Sequence, residues 1–435
     1  MKPFLKQTLL SSAIALAASQ ACAAPVVTEQ RQLPAFKAIE LAGPYTVVIK
    51  AQGAQALSIT AEQDKLADIE TRVSGDTLIV RPVNRKRFGI HFGTRTERTT
   101  INITAATLAS LRMSGSGDVD LDKVGGEQFK LSVDGPGDLR ANGAVRELTV
   151  SSSGSGDVNL RGMSATNLRL TMSGPGNVSL AGVNGEMSAD MSGSGDLDVE
   201  GLRAAKVNAR STGPGNVKLA GASRELIVES TGSGDIDACR LAVESAIASL
   251  RGPGNGCVAG TIKNFEGEVH GSGDLRVSGL QAQNARVTMS GPGNLSLDGA
   301  ATVFRAELSG SGDLKGERFS AGNATLRGRG PGNLRLHTIS GSLDADLSGS
   351  GELTANLAAK AVQLRMDGPG GMRLEGTAER VTAQVNGAGD LEARRLVASA
   401  ATVDVRGPGN AALSVKSGAD AARVVTYDRR GTRQN

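Results

Sequence analysis

Aromatic side chains are scarce in this 435-residue chain, which has no tryptophan, two tyrosines and eight phenylalanines. This scarcity argues against a binding site in which sugar rings stack on aromatic side chains. Histidine is also rare. The three residues His91, His270 and His337 are too few and too scattered to predict a catalytic triad or a zinc site.

Neither sign of charge dominates. Lys and Arg number 48 against 44 Asp and Glu, and without Lys2 and Lys6 of an N-terminal leader the net charge falls from +4 to +2 (46 − 44). A nucleic-acid-binding domain normally has a marked excess of basic residues. The near balance therefore predicts no nucleic-acid partner.

Long hydrophobic runs are absent after the N-terminus. Residues 1–23 have the pattern of a secretory signal, with a basic start, a short apolar core over 9–18 and the cleavage site Ala21-Cys22-Ala23. No stretch is long and apolar enough to predict a membrane span. We predict export to the periplasm, the cell surface or the medium. The alternative, a lipidated Cys22, fits less well because Ser19-Gln20-Ala21 lacks a large aliphatic residue.

Cysteine is nearly absent from the exported chain, in which only Cys239 and Cys257 remain. Their separation is close to the period of the repeat described next, which places them on neighbouring coils. A disulfide between them is predicted for an oxidising compartment, and two unpaired small residues are the alternative.

Glycine is abundant, at 58 residues, and more than half of it falls in one motif. The tetrad Gly-Ser-Gly-Asp, Gly-Pro-Gly-Asn or a near variant recurs sixteen times, at spacings that alternate between twenty and nineteen positions with one slip near Gly368. A short fixed period is typical of a solenoid of stacked units rather than a globule around one active site. The first glycines are Gly115, Gly135, Gly154, Gly174, Gly193, Gly213, Gly232, Gly252, Gly271, Gly291, Gly310, Gly330, Gly349, Gly368, Gly387 and Gly407.

Apolar and polar residues alternate on both sides of each tetrad, which predicts strand, turn and strand. The tetrads with Ser and those with Pro largely alternate, so the chemical pattern repeats over two tetrads. A coil of that double length would enclose more space than these side chains fill. We therefore predict an all-β parallel solenoid with about 19–20 residues per coil. Outward charges of opposite sign on successive coils, such as Arg210 and Glu229 or Glu307 and Arg327, are predicted to pair.

The fourth tetrad position supplies the candidate binding residues. The two glycines before it indicate either a positive φ or close packing of backbone against the next coil. Asp and Asn alternate over most of the array, which separates like charges by roughly 9.6 Å. We predict that these side chains bond their own turn backbone. No cofactor is predicted, and calcium at this column is the alternative. The residues are Asp118, Asp138, Asp157, Asp196, Asp235, Asp274 and Asp313.

The array has distinct flanks. Residues 24–110 lack the tetrad and are predicted to form an N-terminal cap with the first coils, 111–416 form the tetrad array, and 417–435 are a polar tail. Within the cap, the basic stretch 81–98 is predicted to be a solvated loop. The alternative is an anion-binding patch for an acidic polymer, formed by Arg85, Lys86, Arg87 and Arg95.

Three segments resemble the head GIN domain family of auto-transporter adhesin heads. They are FKAIELAGPYTVVI at 36–49, TLIVRP at 77–82 and INITAATLASLRMSGSGDVDL at 101–121, and the tetrads continue the likeness to the C-terminus. The resemblance implies a right-handed parallel β-helix in an exported protein. It implies no catalytic residues, because the family has no catalytic motif to carry over.

These observations predict an exported, non-enzymatic solenoid that binds a surface polysaccharide or a protein through many weak contacts along one face. Two alternatives remain open. One is a β-helix enzyme acting on polysaccharides, which would need a single cleft with clustered Asp, Lys and Arg. The other is a periplasmic envelope protein that never reaches the cell surface.

Overall fold

The computed structural model describes residues 25–83, 99–417, 421–428 and 431–434. Within these ranges one 3-10 turn, Leu66–Asp68, is the only helical element, and no helix is long and apolar enough to cross a membrane. Strands contain 71% of the residues and stack into a parallel β-solenoid of about 15 turns. The predicted fold class is confirmed.

The strands fall into three groups. Those before the first tetrad are β1 Val26–Gln30, β2 Ala38–Leu41, β3 Thr46–Lys50, β4 Ala56–Glu62, β5 Ile69–Ser74, β6 Thr77–Pro82, β7 Thr100–Thr104 and β8 Ser110–Met113. Those of the array are β9 Val119–Val133, β10 Leu139–Ser152, β11 Val158–Met172, β12 Val178–Ala181, β13 Glu186–Met191, β14 Leu197–Ser211, β15 Val217–Ser230, β16 Ile236–Leu250, β17 Gly256–Val269, β18 Leu275–Met289, β19 Leu295–Leu308, β20 Leu314–Gly328, β21 Leu334–Leu347, β22 Glu352–Met366, β23 Gly371–Val385, β24 Leu391–Val405 and β25 Ala411–Ser417. The last two are β26 Ala421–Asp428 and β27 Gly431–Gln434.

Most coils consist of one long strand that begins after one tetrad and ends before the next. The parallel register joins equivalent residues of neighbouring coils. Leu139 pairs with Val158, and Val158 in turn pairs with Val178. Because each of these partners lies one tetrad spacing along the chain, the register confirms the predicted coil length and excludes a coil of twice that length.

Each long strand bends near its middle, so that a single strand covers two sides of the core. Glycines with positive φ mark this bend in many coils, such as Gly201 at 63° and Gly221 at 132°. The register between neighbouring strands shifts at the same place. Glycine adopts these angles without steric cost, so glycine conformation supports the second corner in these coils.

Inward side chains form one continuous core of Leu, Val, Ala, Met and a few Phe. Several core positions hold glycine, and at Gly256 and Gly267 a neighbouring side chain fills the space. A Cβ on Gly256 would lie 3.0 Å from the Cδ1 atoms of Leu250 and Leu275, and a Cβ on Gly267 would lie 2.8 Å from Cζ of Phe265. Large and small residues thus compensate from coil to coil, which maintains the close packing of the interior.

Outward charges pair across coils in part as predicted. Arg210 and Glu229 form an ion pair of 3.3 Å between β14 and β15, which confirms that prediction. The partner predicted for Arg327 is wrong. Arg327 donates to both carboxylate oxygens of Asp344 on the next coil, at 3.1 and 2.8 Å, rather than pairing with Glu307. Two acceptors on one carboxylate favour the planar guanidinium in a bidentate geometry.

The first coil lies inside the segment predicted to be the cap. β2 and β3 stack in parallel on β8 and β9, and the turn Gly43-Pro44-Tyr45 between them stacks on the first tetrad. The N–H of Gly117 donates to the carbonyl of Gly43 at 3.3 Å, a bond that recurs between later tetrads. The Gly43 turn is therefore a degenerate tetrad.

Antiparallel strands cover both ends of the solenoid. At the N-terminal end β6 and β7 add in parallel to β2 and β3, and β5, β4 and β1 then add antiparallel. At the C-terminal end β26 and β27 add antiparallel to β25. The segment predicted as a polar tail therefore contains strands. Such caps hide the open end of a solenoid core.

Candidate functional site

The tetrad forms a corner in which the backbones of successive coils touch. A Cβ on Gly213 would overlap the carbonyl oxygen of Gly193, a Cβ on Gly215 would overlap that of Gly195, and the same overlap recurs at every tetrad. Neither glycine of any of the sixteen tetrads has a positive φ. Of the two explanations for these glycines, the structure therefore supports close backbone packing.

The fourth tetrad residue projects outward from this corner and forms a hydrogen-bond ladder along the solenoid. Oδ1 of Asp196 accepts the backbone N–H of Asn216 at 2.8 Å, and Oδ1 of Asn216 accepts the backbone N–H of Asp235 at 2.9 Å. The same bonds recur along most of the array. The prediction that these side chains bond their own turn is therefore wrong, because their partner is the equivalent residue one coil on.

The alternation of Asp and Asn gives the ladder additional bonds. The amide nitrogen of Asn216 donates to Oδ1 of Asp196 at 3.0 Å, and that of Asn255 donates to Asp235 at 3.2 Å. A carboxylate has no donor of its own, so an all-Asp column would lack these side-chain bonds. The alternation separates like charges and also provides a donor to each Asp that is followed by an Asn.

The candidate carboxylates remain accessible. Asp118, Asp138, Asp157, Asp196, Asp235 and Asp274 are exposed, and Asp313 is half-buried. Oδ2 of Asp196, Asp235 and Asp274 has no hydrogen-bond partner among the described residues. Since these residues recur every second coil, the corner presents carboxylate oxygens at intervals of roughly 9.6 Å.

Asp118, Asp138 and Asp157 follow one another without an intervening Asn. Oδ1 of Asp118 accepts the N–H of Asp138 at 3.3 Å, and Oδ1 of Asp138 accepts the N–H of Asp157 at 2.8 Å. Within the described ranges no basic side chain forms an ion pair with these three carboxylates. Calcium binding at this column stays the untested alternative.

Exchanging Asp and Asn tests the ladder in both directions. Asn255→Asp should lower the free energy of unfolding by about 1–2 kcal/mol at pH 7, because it removes a side-chain hydrogen bond and places like charges on successive coils. Asp138→Asn should raise it by about 1 kcal/mol, because the new amide can donate to Asp118. Chemical denaturation measures both. The loss of stability in Asn255→Asp should be smaller at pH 3, where protonation of the carboxylates removes their repulsion. Equal effects of the two variants on the free energy of unfolding would contradict the ladder.

The two cysteines meet on neighbouring coils. Cys239 on β16 and Cys257 on β17 form a disulfide with a Cα–Cα distance of 5.2 Å, within the usual range. With Asp237 they also form the one group of three potential metal ligands that the described residues bring together. Both sulfurs are used in the disulfide, so this group is not available to a metal in the oxidised protein.

The predicted anion patch of Arg85, Lys86, Arg87 and Arg95 lies outside the described residues. The stretch that contains it connects β6 to β7.

One polar cluster was not predicted from the sequence. His270 Nδ1 lies 2.5 Å from Ser290 Oγ, and His270 Nε2 lies 3.6 Å from Glu268, which accepts a hydrogen bond from Ser249 at 3.1 Å. Hydroxyl, imidazole and carboxylate are the groups of an activated nucleophile. The signal available in the sequence was a Glu and a His two residues apart, directly before a tetrad.

Two backbone N–H groups beside this cluster are already engaged and do not serve as donors for a developing oxyanion. The N–H groups of Ser290 and Gly291 both donate to the carbonyl of Val269, at 3.0 and 3.4 Å. Oxyanion stabilisation in acyl transfer requires donors aimed at the reacting oxygen. The cluster therefore has the polar side chains of a catalytic site without these two backbone donors.

Several solved structures have detectable similarity to the chain. A putative adhesin from Bacteroides fragilis is 19% identical, with 67% of this chain and 96% of that chain aligned and a TM-score of 0.25. One from Parabacteroides merdae is 17% identical, with coverages of 67% and 95% and a TM-score of 0.31. A putative lipid binding protein from Parabacteroides distasonis is 16% identical, with coverages of 89% and 96% and a TM-score of 0.22.

No curated protein matches the chain. A family profile, however, matches four overlapping segments, residues 35–186, 170–263, 257–355 and 339–424. These segments begin at the first coil and end within β26, so the match includes both the cap and the tetrad array. The chain therefore belongs to the family described as "Putative auto-transporter adhesin, head GIN domain".

Proposed function

We propose that this chain is an exported, non-enzymatic binding protein that adheres to a polymer or protein through repeated contacts along its solenoid. The observation that supports this function most directly is the column of outward carboxylate oxygens, which recur at every second coil. Membership of an adhesin-head family is consistent with it. Individually weak contacts on one rigid support add up by avidity, provided the ligand repeats on a similar scale.

Rigidity is what the fold contributes to this function. Every array strand between β9 and β24 pairs with a neighbour on each side, and the tetrad ladder adds side-chain bonds along the axis. A support of this kind holds its surface groups at fixed spacing, so a ligand loses little of its binding free energy in ordering the protein.

A polysaccharide-cleaving enzyme is the alternative from another class. The His270 cluster is the nearest approach to a catalytic arrangement in the described part of the chain. It lies at the ends of strands β17 and β18, and the two backbone N–H groups beside it, those of Ser290 and Gly291, are engaged by Val269. These features favour binding over catalysis. Loss of viscosity when the protein is incubated with polysaccharide would contradict the non-enzymatic assignment.

Protease shaving of intact cells tests the location on which adhesion depends. With a tag near the C-terminus, we expect protease to release the tag from unbroken cells, while a periplasmic marker protein stays protected. Screens against glycans and host proteins would then identify the ligand. If the tag is cleaved only after the outer membrane is opened, the surface role is wrong and the protein acts in the periplasm.

A further inference from the structure

A shallow groove of about 590 Å³ crosses the outer surface at the second corner of the coils. Asn184, Arg203, Ala222, Ala242 and Thr261 line it from five successive coils. Four coil spacings correspond to roughly 19 Å along the solenoid axis. The groove is therefore long, narrow and parallel to the axis.

Small residues create the groove. Arg203, Ala222 and Ala242 occupy one outward column, in direct register across β14, β15 and β16. Ala222 and Ala242 are exposed, and their methyl groups form a floor below the longer side chains around them. No aromatic residue lines the groove, so stacking on a sugar ring is not the means of recognition here.

The rim is basic. The guanidinium groups of Arg203 and Arg224 have no hydrogen-bond or ion-pair partner among the described residues. Lys263 donates to Glu244 at 2.9 Å. This hydrogen bond holds the pKa of the Glu244 carboxyl below its ordinary value, with a smaller contribution from the charge of Arg224. The charged residues that line the groove, Arg203, Arg224 and Glu244, carry a net charge of +1, counted as two cations and one anion.

We infer that this groove binds an extended, carboxylated polysaccharide, with Arg203 and Arg224 each receiving a carboxylate. Arg224 lies one coil across and two residues along from Arg203, a separation of roughly 8 Å. A linear polymer with carboxylates on its sugar units presents anions along its length, and guanidinium groups bind carboxylates in a bidentate manner. The assignment rests on the proposed binding function and names a ligand class for this groove alone, because the Asp column at the tetrad corner would repel the same polymer.

An acidic protein fits the groove less well. An extended peptide gains affinity by adding a strand to a free sheet edge, and the strands that form this groove are already paired on both sides. A folded protein needs about 800 Å² of matching surface on each partner, which a narrow groove does not provide. The polysaccharide is therefore the occupant that the groove favours.

Calorimetric titration with an oligouronate of at least six sugars tests the assignment. The double variant Arg203→Gln/Arg224→Gln should raise Kd at least tenfold. Ala222→Trp keeps every charge but fills the floor, and it should weaken binding to a similar degree. The matched control is Arg286→Gln/Arg305→Gln, a pair in register on neighbouring coils outside the groove, with no ion-pair partner among the described residues. This control should change Kd less than twofold.

Each contrary result has a distinct meaning. Equal losses in the groove and control variants would show non-specific attraction to basic residues and overturn the site. Equal binding of neutral dextran, or binding of poly-glutamate in place of the oligouronate, would overturn the ligand class. If the wild type fails to bind oligouronate but adheres to another ligand on cells, this site is wrong and the proposed function stands. Failure of all binding, with the tag protected in intact cells, would overturn the proposed function itself.

Discussion

Gly213→Ala should lower the free energy of unfolding by about 3 kcal/mol or more, the largest single-residue effect that we expect in this protein. The added methyl group would overlap the carbonyl oxygen of Gly193 on the coil before it. To remove this overlap, the backbones of the two coils must separate, because no flexible side chain is available to move. Chemical denaturation followed by circular dichroism measures the loss.

Gly75→Ala is the control that separates crowding from backbone conformation. Gly75 has φ of +64° in the turn between β5 and β6, and a Cβ there would meet nothing within 4 Å. Its replacement should lower the free energy of unfolding by about 1 kcal/mol, the penalty for an L-residue in the left-handed region. If Gly213→Ala costs no more than Gly75→Ala, close packing is not the reason for glycine in the tetrad.

Removing the disulfide should have the second largest effect. Cys239 and Cys257 are 18 residues apart, and a cross-link of this length stabilises a protein by about 3 kcal/mol in the chain-entropy description. The variant Cys239→Ala/Cys257→Ala should lose this amount without leaving a free thiol. Chemical denaturation of the oxidised protein and the variant measures the difference.

The disulfide also lies at an irregular part of the sheet, which gives the experiment a local readout. The register between β16 and β17 passes from Ala238–Val258 to Ala242–Ala259, so the β16 residues at 239–241 have no partner on β17. We expect faster hydrogen exchange there after the cross-link is removed. A reducing agent should lower the free energy of unfolding of the wild type and leave that of the variant unchanged. If the reductant has no effect on the wild type, the bond does not form in the protein.

The sequence by itself determined the solenoid and its coil length. A period of about 19–20 residues, with apolar residues at fixed offsets from the tetrad, leaves only stacked coils as a way to bury those residues together. The choice against a coil of double length followed from volume, since Leu, Val and Ala fill only a thin core. The pairing of Arg210 with Glu229 followed from the same register, because it depends on spacing alone.

The candidate carboxylates could also be read from the sequence, but their partners could not. Local sequence predicts an Asx turn, since Asp and Asn often bond their own backbone. In the fold, Oδ1 of Asp196 instead accepts the backbone N–H of Asn216 on the next coil. The reason is tertiary. The glycines bring successive corners into contact, and this places a backbone donor from another coil beside each side chain.

Tertiary structure also decided where the irregular features lie. The Gly43 turn is far from the first tetrad in the chain, and only the pairing of β2 and β3 with β8 and β9 shows that it is the first corner. His270 and Ser290 meet because one coil separates them. The Arg203 groove exists because alanines from adjacent coils align. The period of the sequence determines which residues share a column. The shape of the surface between columns depends on side-chain sizes and on the bends of the strands, and only the assembled coils bring these together.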